Sequence, residues 1–133
     1  MKKKQVDRPK IYQNWMTEAM AMRRRLVGCP LSVEAQAMWS YLMYRLNAAF
    51  WRQPMCLAIG EIAGSLMISS QRARRARHEL SEKGFILFEQ PQGQPFGFYY
   101  MMSCQMPGEI IQCRTPEDVL RDQIAKAADV EEA

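Results

Sequence analysis

Sixteen residues, Ser69 to Gly84 (SSQRARRARHELSEKG), carry five Lys/Arg side chains on a stretch with helical periodicity, and no other feature constrains the fold as much. At 100° per residue, Ala73, Ala76 and Leu80 share one face, with Ser69 above them. Gln71, Arg74, Arg75 and His78 lie around the other side, with Ser70 and Ser81 at its margin. Small residues on the buried face let such a helix sit close to its neighbours while its cations point away from them. Ser69 or Ser70 suits the N-cap, and Lys83-Gly84 is a good helix stop.

What surrounds this helix narrows the choice further. Phe85-Ile86-Leu87-Phe88 follows at once as a strand, then a turn rich in Gln, Pro and Gly, then the aromatic run Phe98-Tyr99-Tyr100. Upstream, Glu61 to Leu66 reads as another short helix, separated from the first by Met67-Ile68-Ser69. Two helices with a tight turn and then a two-stranded ribbon describe a winged helix-turn-helix. The expected fold class is therefore α+β, mostly helical, with a further helix at each end. A module of this kind can place its second helix in the major groove of DNA. On that reading Ser70, Gln71, Arg74, Arg75 and His78 are the DNA-contacting residues. Guanidinium forks suit phosphate oxygens or the O6/N7 edge of guanine. The plainer alternative is a solvated basic face on an ordinary helix.

A chain of 133 residues has room for one domain with tails. Residues 1–10 read as a basic, flexible N-terminus and 11–27 as a helical extension, in which Trp15, Ala19, Met22 and Leu26 form an apolar stripe. Residues 31–105 form the main domain. Its first helix is capped by Ser32 and presents Ala35, Met38, Trp39, Leu42, Met43 and Leu46 as core. Met55 to Ile59 suits a short strand. Residues 106–133 read as a tail with one short helix, started by Thr115-Pro116-Glu117-Asp118, with Val119, Leu120, Ile124, Ala127 and Ala128 as a weak apolar face. The eleven methionines fit an adaptable core or a protein-contact surface.

Net charge is +4, but it is segregated: +6 over residues 1–25, zero over 26–68, +3 over 69–84 and −5 over 85–133. A basic front suits a polyanionic partner, because clustered Lys and Arg displace counterions from phosphates. Arg23, Arg24 and Arg25 either complement the C-terminus of the first helix or make secondary phosphate contacts. Gln92 and Gln94, in a ribbon loop without Lys or Arg, are candidates for the same secondary role by hydrogen bonding.

Catalytic and metal chemistry find few parts. Cys29, Cys56, Cys104 and Cys113 show no CxxC spacing and His78 is the only histidine, so no metal site or cofactor is expected and the thiols are read as reduced and mostly buried. Phosphate-loop, GxSxG and HExxH patterns are missing from the sequence. A cysteine–histidine pair involving His78 stays open, but nothing marks it out, and the expectation is a binding protein without enzymatic activity. No apolar run approaches membrane-spanning length, and the Lys-rich start has no apolar segment behind it. No membrane contact and a cytoplasmic location are expected.

The span from Leu31 to about Met101 resembles the N-terminal winged-helix domain of phage and mobile-element replication proteins, the replisome-organiser and DnaD-like group. The resemblance is carried by Leu31-Ser32, Ala35, Trp39, Leu42 and Asn47, then by Ile68-Ser69, Ala76-Arg77, Leu80, Gly84-Phe85-Ile86, and Tyr99 or Tyr100. It covers about half the chain, and the same pattern is similar to parts of MarR-like and GntR-like transcription regulators. The resemblance implies binding of double-stranded DNA in replication initiation, often as an oligomer that recruits a helicase or its loader. It places the contacts at Ser70, Gln71, Arg74, Arg75 and His78, and leaves Arg77, nearer the buried face, for a structural ion pair. A transcription regulator and a protein-interaction adaptor on the same scaffold are the alternatives. A homodimer through Trp15, Met16, Met20 and Met22 is expected, because two copies of a small basic module multiply its contacts. Met67 stands where many relatives have glycine in the turn, and the second helical domain of longer relatives is missing or reduced to 115–130.

Overall fold

The computed structural model describes residues 14–112 and, in the C-terminal segment, residues 121, 124, 125, 127 and 128. Among them the architecture is α+β, with four helices and a three-stranded antiparallel sheet. Helix α1 (Trp15–Arg25) begins at Asn14, whose side chain accepts the Thr17 N–H at 2.9 Å while Thr17 Oγ1 accepts the Asn14 N–H at 3.1 Å. This reciprocal cap satisfies two of the donors that a helix start leaves open. Residues 11–13 of the expected helix lie outside the described residues.

The buried face of α1 matches the apolar stripe in part: Met22 is buried and Ala19 and Leu26 pack against the core, but Trp15 is not part of it. Glu18, Ala21 and Met22 point inward, whereas Trp15 is exposed and Ala19 and Leu26 are half-buried. The reason is a polar partner far along the chain, described below.

Helix α2 (Val33–Ala48) behaves as its pattern dictates. Ser32 Oγ accepts the Ala35 N–H at 3.1 Å, and Ala35, Met38, Trp39, Leu42, Met43 and Leu46 are all buried. These side chains form the floor on which the other elements lie. Strand β1 (Met55–Ala58) leads directly into α3 (Ile59–Leu66), and α4 (Ser70–Glu82) follows after a three-residue turn. Ser69, rather than Ser70, caps α4 by accepting the Arg72 N–H at 3.2 Å, and α4 buries only Ala73, Ala76 and Leu80. Gly84, at φ +78°, turns the chain out of the helix into Phe85. A left-handed residue at that point is where glycine costs least.

Strands β2 (Ile86–Glu89) and β3 (Phe96–Met101) pair antiparallel, with Ile86 opposite Met101 and Phe88 opposite Tyr99. Strand β1 joins the other edge of β3, with Met55 opposite Tyr99, giving the order β1-β3-β2. Alternation sends Gly97, Tyr99 and Met101 toward the helices and leaves Phe96, Phe98 and Tyr100 half-exposed on the outer face.

The chain then folds back rather than trailing off at 106. Ser103 N–H donates to the Glu109 carbonyl at 2.7 Å, Ile111 N–H to the Met101 carbonyl at 2.9 Å, and Ile111 is buried. Gln53 fastens this return by donating to the Ile111 carbonyl at 2.7 Å while accepting the Met101 N–H. Of the expected C-terminal helix, residues 115–120 lie outside the described residues. Ile124, Ala127 and Ala128, part of its expected weak apolar face, are helical and exposed.

Candidate nucleic-acid interface

The turn between α3 and α4 is made by a residue poorly suited to it. Met67 adopts φ 57° and ψ 41°, the left-handed region, and is 91% exposed. An L side chain in that region costs roughly 1–2 kcal/mol. The turn survives because Ile68 N–H reaches the Ala63 carbonyl at 3.1 Å and Ser69 caps the next helix.

Helix α4 presents three distinct surfaces. Its outward face brings Gln71, Arg74, Arg75 and His78 together in solvent, with Ser70 half-buried at the margin. Neither Arg74 nor Arg75 has a hydrogen-bond or ion-pair partner among the described residues. His78 Nε2 lies 3.5 Å from a Glu82 carboxylate oxygen one turn on.

The flank facing α2 is neutralised. Arg72 forms an ion pair with Glu34, its Nε 2.6 Å from Oε1. Glu79 accepts both the Ser32 N–H and the Ser32 hydroxyl at 2.7 Å, and Lys83 Nζ lies 3.6 Å from it. Partial burial works to raise the Glu79 pKa, but the two Ser32 bonds and the Lys83 charge hold it below its ordinary value.

The flank facing the ribbon carries Arg77, and it is not the ion pair expected of it. No carboxylate partners Arg77 among the described residues. Its guanidinium lies 3.9 Å over the Phe88 ring, and Nη1 donates to the Tyr99 hydroxyl at 3.2 Å. Burial pushes the Tyr99 phenol above its usual range, and the Arg77 contact partly offsets this. Phe88 can lie there because residue 97 is glycine. A Cβ at that position would stand 2.2 Å from Phe88 Cε2.

The secondary candidates separate. Arg23 donates to Gln36 at 3.0 Å, and Arg24 is exposed with no partner among the described residues. Arg25 is half-buried and engaged within its own chain: Nη2 donates to the Lys83 carbonyl at 2.8 Å, and the guanidinium lies 4.0 Å over Phe85. It is committed to holding α1 against the end of α4. Gln92 and Gln94 are exposed in the β2–β3 loop, which is closed by Gln94 N–H on the Pro91 carbonyl and by the Gln90 amide on the Gln94 carbonyl.

Beside Arg25, an open cleft of ≈ 500 Å³ is lined by Ala21, Arg24, Arg25, Cys104 and Gln105. Behind it sits Glu18, fully buried, accepting from the Ser103 hydroxyl at 2.8 Å, the Cys104 N–H at 2.7 Å and the Gln105 amide at 2.8 Å. Burial first, and the neighbouring Glu18 second, push the Cys104 thiol up to about 11, with Arg25 acting the other way. Of the other cysteines, Cys29 is half-buried, and Cys56 is exposed, contrary to the expectation of mostly buried thiols. Cys113 lies outside the described residues.

The apolar dimer surface needs one revision. Met16 and Met20 are exposed, and Trp15 packs edge-on to exposed Tyr44 with ring centroids 6.3 Å apart, but Met22 is buried within its own chain. Among the described residues no group of three or more His, Cys, Asp or Glu could hold a metal ion, and no helix is long and apolar enough to cross a membrane. Comparison with protein-family models, with curated proteins and with solved structures finds no match to this chain.

Proposed function

We propose that this chain is a winged-helix protein that binds double-stranded DNA through α4 and takes part in the replication of a phage or mobile element. In this reading α3, the Met67 turn and α4 are the helix-turn-helix, and β2 and β3 are the wing. The carrying observation is the outward face of α4, where Arg74 and Arg75 form no ion pair or hydrogen bond among the described residues. Other arginines of the described fold are ion-paired, Arg72 with Glu34 and Arg45 with Glu61. Leaving two adjacent guanidinium groups unpaired next to neutralised ones suits an external polyanion.

The protein acts by binding rather than by catalysis, in the cytoplasm where such DNA lies. Trp15, Met16 and Met20 serve a homodimer or a replication partner such as a helicase or its loader. One observation favours a second reading, an interaction adaptor: the wing loop from Glu89 to Gly97 has no Lys or Arg, and the exposed apolar residues cluster on α1 and α2.

The deciding experiment is duplex-DNA affinity of an Arg74→Ala/Arg75→Ala variant across a salt series. Two lost phosphate contacts lower the salt slope by about two units, whereas a lost guanine contact weakens one sequence selectively. Unchanged affinity and slope would transfer the argument to the adaptor.

A further inference from the structure

Arg77 has no place in that reading so far, and its surroundings give it one. The two flanks of α4 differ in how their charge is handled. Positions 72, 79 and 83 face α2 and close on one another and on Glu34, so both cations of that flank are spent inside the molecule. Positions 70, 77 and 81 lie on the opposite side of the helix, toward the ribbon. Arg77 is the only cation there, half-buried, and no carboxylate partners it among the described residues.

Its geometry is also fixed by its neighbours. Gly97 admits the Phe88 ring, Phe88 and Tyr99 lie with centroids 4.9 Å apart, and the guanidinium rests on Phe88 while one N–H is held by Tyr99. A guanidinium has five N–H donors, so four remain after the Tyr99 bond. Stacking on an aromatic face removes much of the rotamer freedom that a long side chain loses when it binds.

We infer that Arg77 is a preset phosphate-binding residue, and that the DNA backbone crosses α4 on its ribbon flank rather than on its α2 flank. The Ser70 and Ser81 hydroxyls on the same flank are suited to donate to neighbouring phosphate oxygens. This also accounts for a wing loop without cations: the positive charge of the ribbon side is supplied by the helix and only braced by the strands. The inference rests on the DNA-binding reading above.

The test compares salt slopes for binding to one mixed-sequence duplex. Arg77→Met, which keeps contact with Phe88 but loses the charge, lowers the slope by about one unit. Glu34→Gln/Arg72→Gln removes a pair on the other flank without changing net charge and leaves the slope unchanged. A parental slope for Arg77→Met, alongside a reduced one for Arg74→Ala/Arg75→Ala, overturns the inference and spares DNA binding. If the Arg74/Arg75 variant also matches the parent, or if the parent shows no salt-dependent binding, the DNA reading fails and this inference falls with it. Should Arg77→Met fail to fold, the unaltered protein supplies the answer. The Arg77 Nε–H resonance shifts on adding duplex and that of Arg72 does not, and a still Arg77 signal in a saturated complex refutes the assignment.

Discussion

Two charged regions of this molecule, the junction of α1 with the 102–106 turn and the outward face of α4, treat ionisable side chains in opposite ways. At the junction Glu18 is fully buried, and three donors from Ser103, Cys104 and Gln105 converge on its two oxygens. On α4, Arg74 and Arg75 stand in water without a partner among the described residues. Burying a carboxylate is costly unless its hydrogen bonds are made, and the first region supplies them. The second has nothing to satisfy in the free protein, and its charge is left for something else. A satisfied network reports on folding, and an unsatisfied charged face reports on recognition. That contrast orders the expected effects of mutation from the interior outward.

The largest effect belongs to Glu18. Glu18→Ala removes the acceptor that joins α1 to a turn more than eighty residues later, leaving the Cys104 N–H buried without its partner. A loss of about 3 kcal/mol is expected, read as a shift of the denaturant midpoint. Glu18→Gln keeps the shape but turns an NH₂ toward a donor, so it also destabilises, though less. With Glu18 gone, the Cys104 pKa falls from about 11, because one of the two influences raising it is removed. Peptide mapping of alkylation at pH 8 to 9 should then show faster modification of Cys104 relative to exposed Cys56. If Glu18→Ala unfolds like the parent, the junction is not the structural anchor described here.

Gly97→Ala comes next. Its Cβ would meet Phe88 Cε2 at 2.2 Å and the Glu89 carbonyl at 3.2 Å, so the ring must swing away or the ribbon must part. Overpacking of this kind costs typically about 1–3 kcal/mol. It also takes the platform from beneath Arg77, which makes it the one substitution that crosses from the structural region into the surface proposed to bind DNA. Thermal unfolding measures the first consequence, and DNA affinity of the folded fraction measures the second. A fully stable Gly97→Ala protein would mean that Phe88 is free to move and that Arg77 is not held in place.

How much of this was legible in the sequence follows the same division. Helix α4 was readable because its information is local: small apolar residues at 73, 76 and 80, a serine cap and a glycine stop. The core face of α2 and the antiparallel pairing of β2 with β3 were readable for the same reason. Glu18 was not, since hydrophobic periodicity favoured the Trp15 stripe, and its three donors lie far away in sequence. Arg24 and Arg25 are indistinguishable as letters. Only the Lys83 carbonyl and the Phe85 ring, brought there by the fold, commit Arg25 to packing and leave Arg24 exposed. Arg77 needed the ribbon register, because its stacking partner is decided by where Phe88 lands opposite Tyr99.

A smaller effect, and of the opposite sign, is expected at Met67. Its side chain makes no use of its left-handed backbone within the described fold, being almost wholly exposed. Met67→Gly should stabilise the protein by about 1 kcal/mol, the cost of an L residue in that region less the added freedom of the unfolded chain. Met67→Ala keeps the Cβ and should change stability little, so the pair separates backbone strain from side-chain loss. Equal midpoints for both variants would show that the turn is not strained.

The smallest stability effect is expected where the proposed function places the greatest consequence. Arg74 and Arg75 make no contact whose loss could be felt by the fold, and exposed substitutions away from caps and cores usually change stability by less than about 0.5 kcal/mol. The Arg74→Ala/Arg75→Ala protein should therefore unfold with the parent while, on the proposed function, losing affinity for duplex DNA. Alanine also raises helix propensity slightly, and removing two cations near Arg77 relieves like-charge repulsion along the helix. Both influences push the midpoint up rather than down. If this double variant unfolds markedly earlier than the parent, the two arginines support the helix they sit on. Unpaired charge on α4 would then carry no message about a partner, and the contrast with Glu18 would no longer separate folding from recognition.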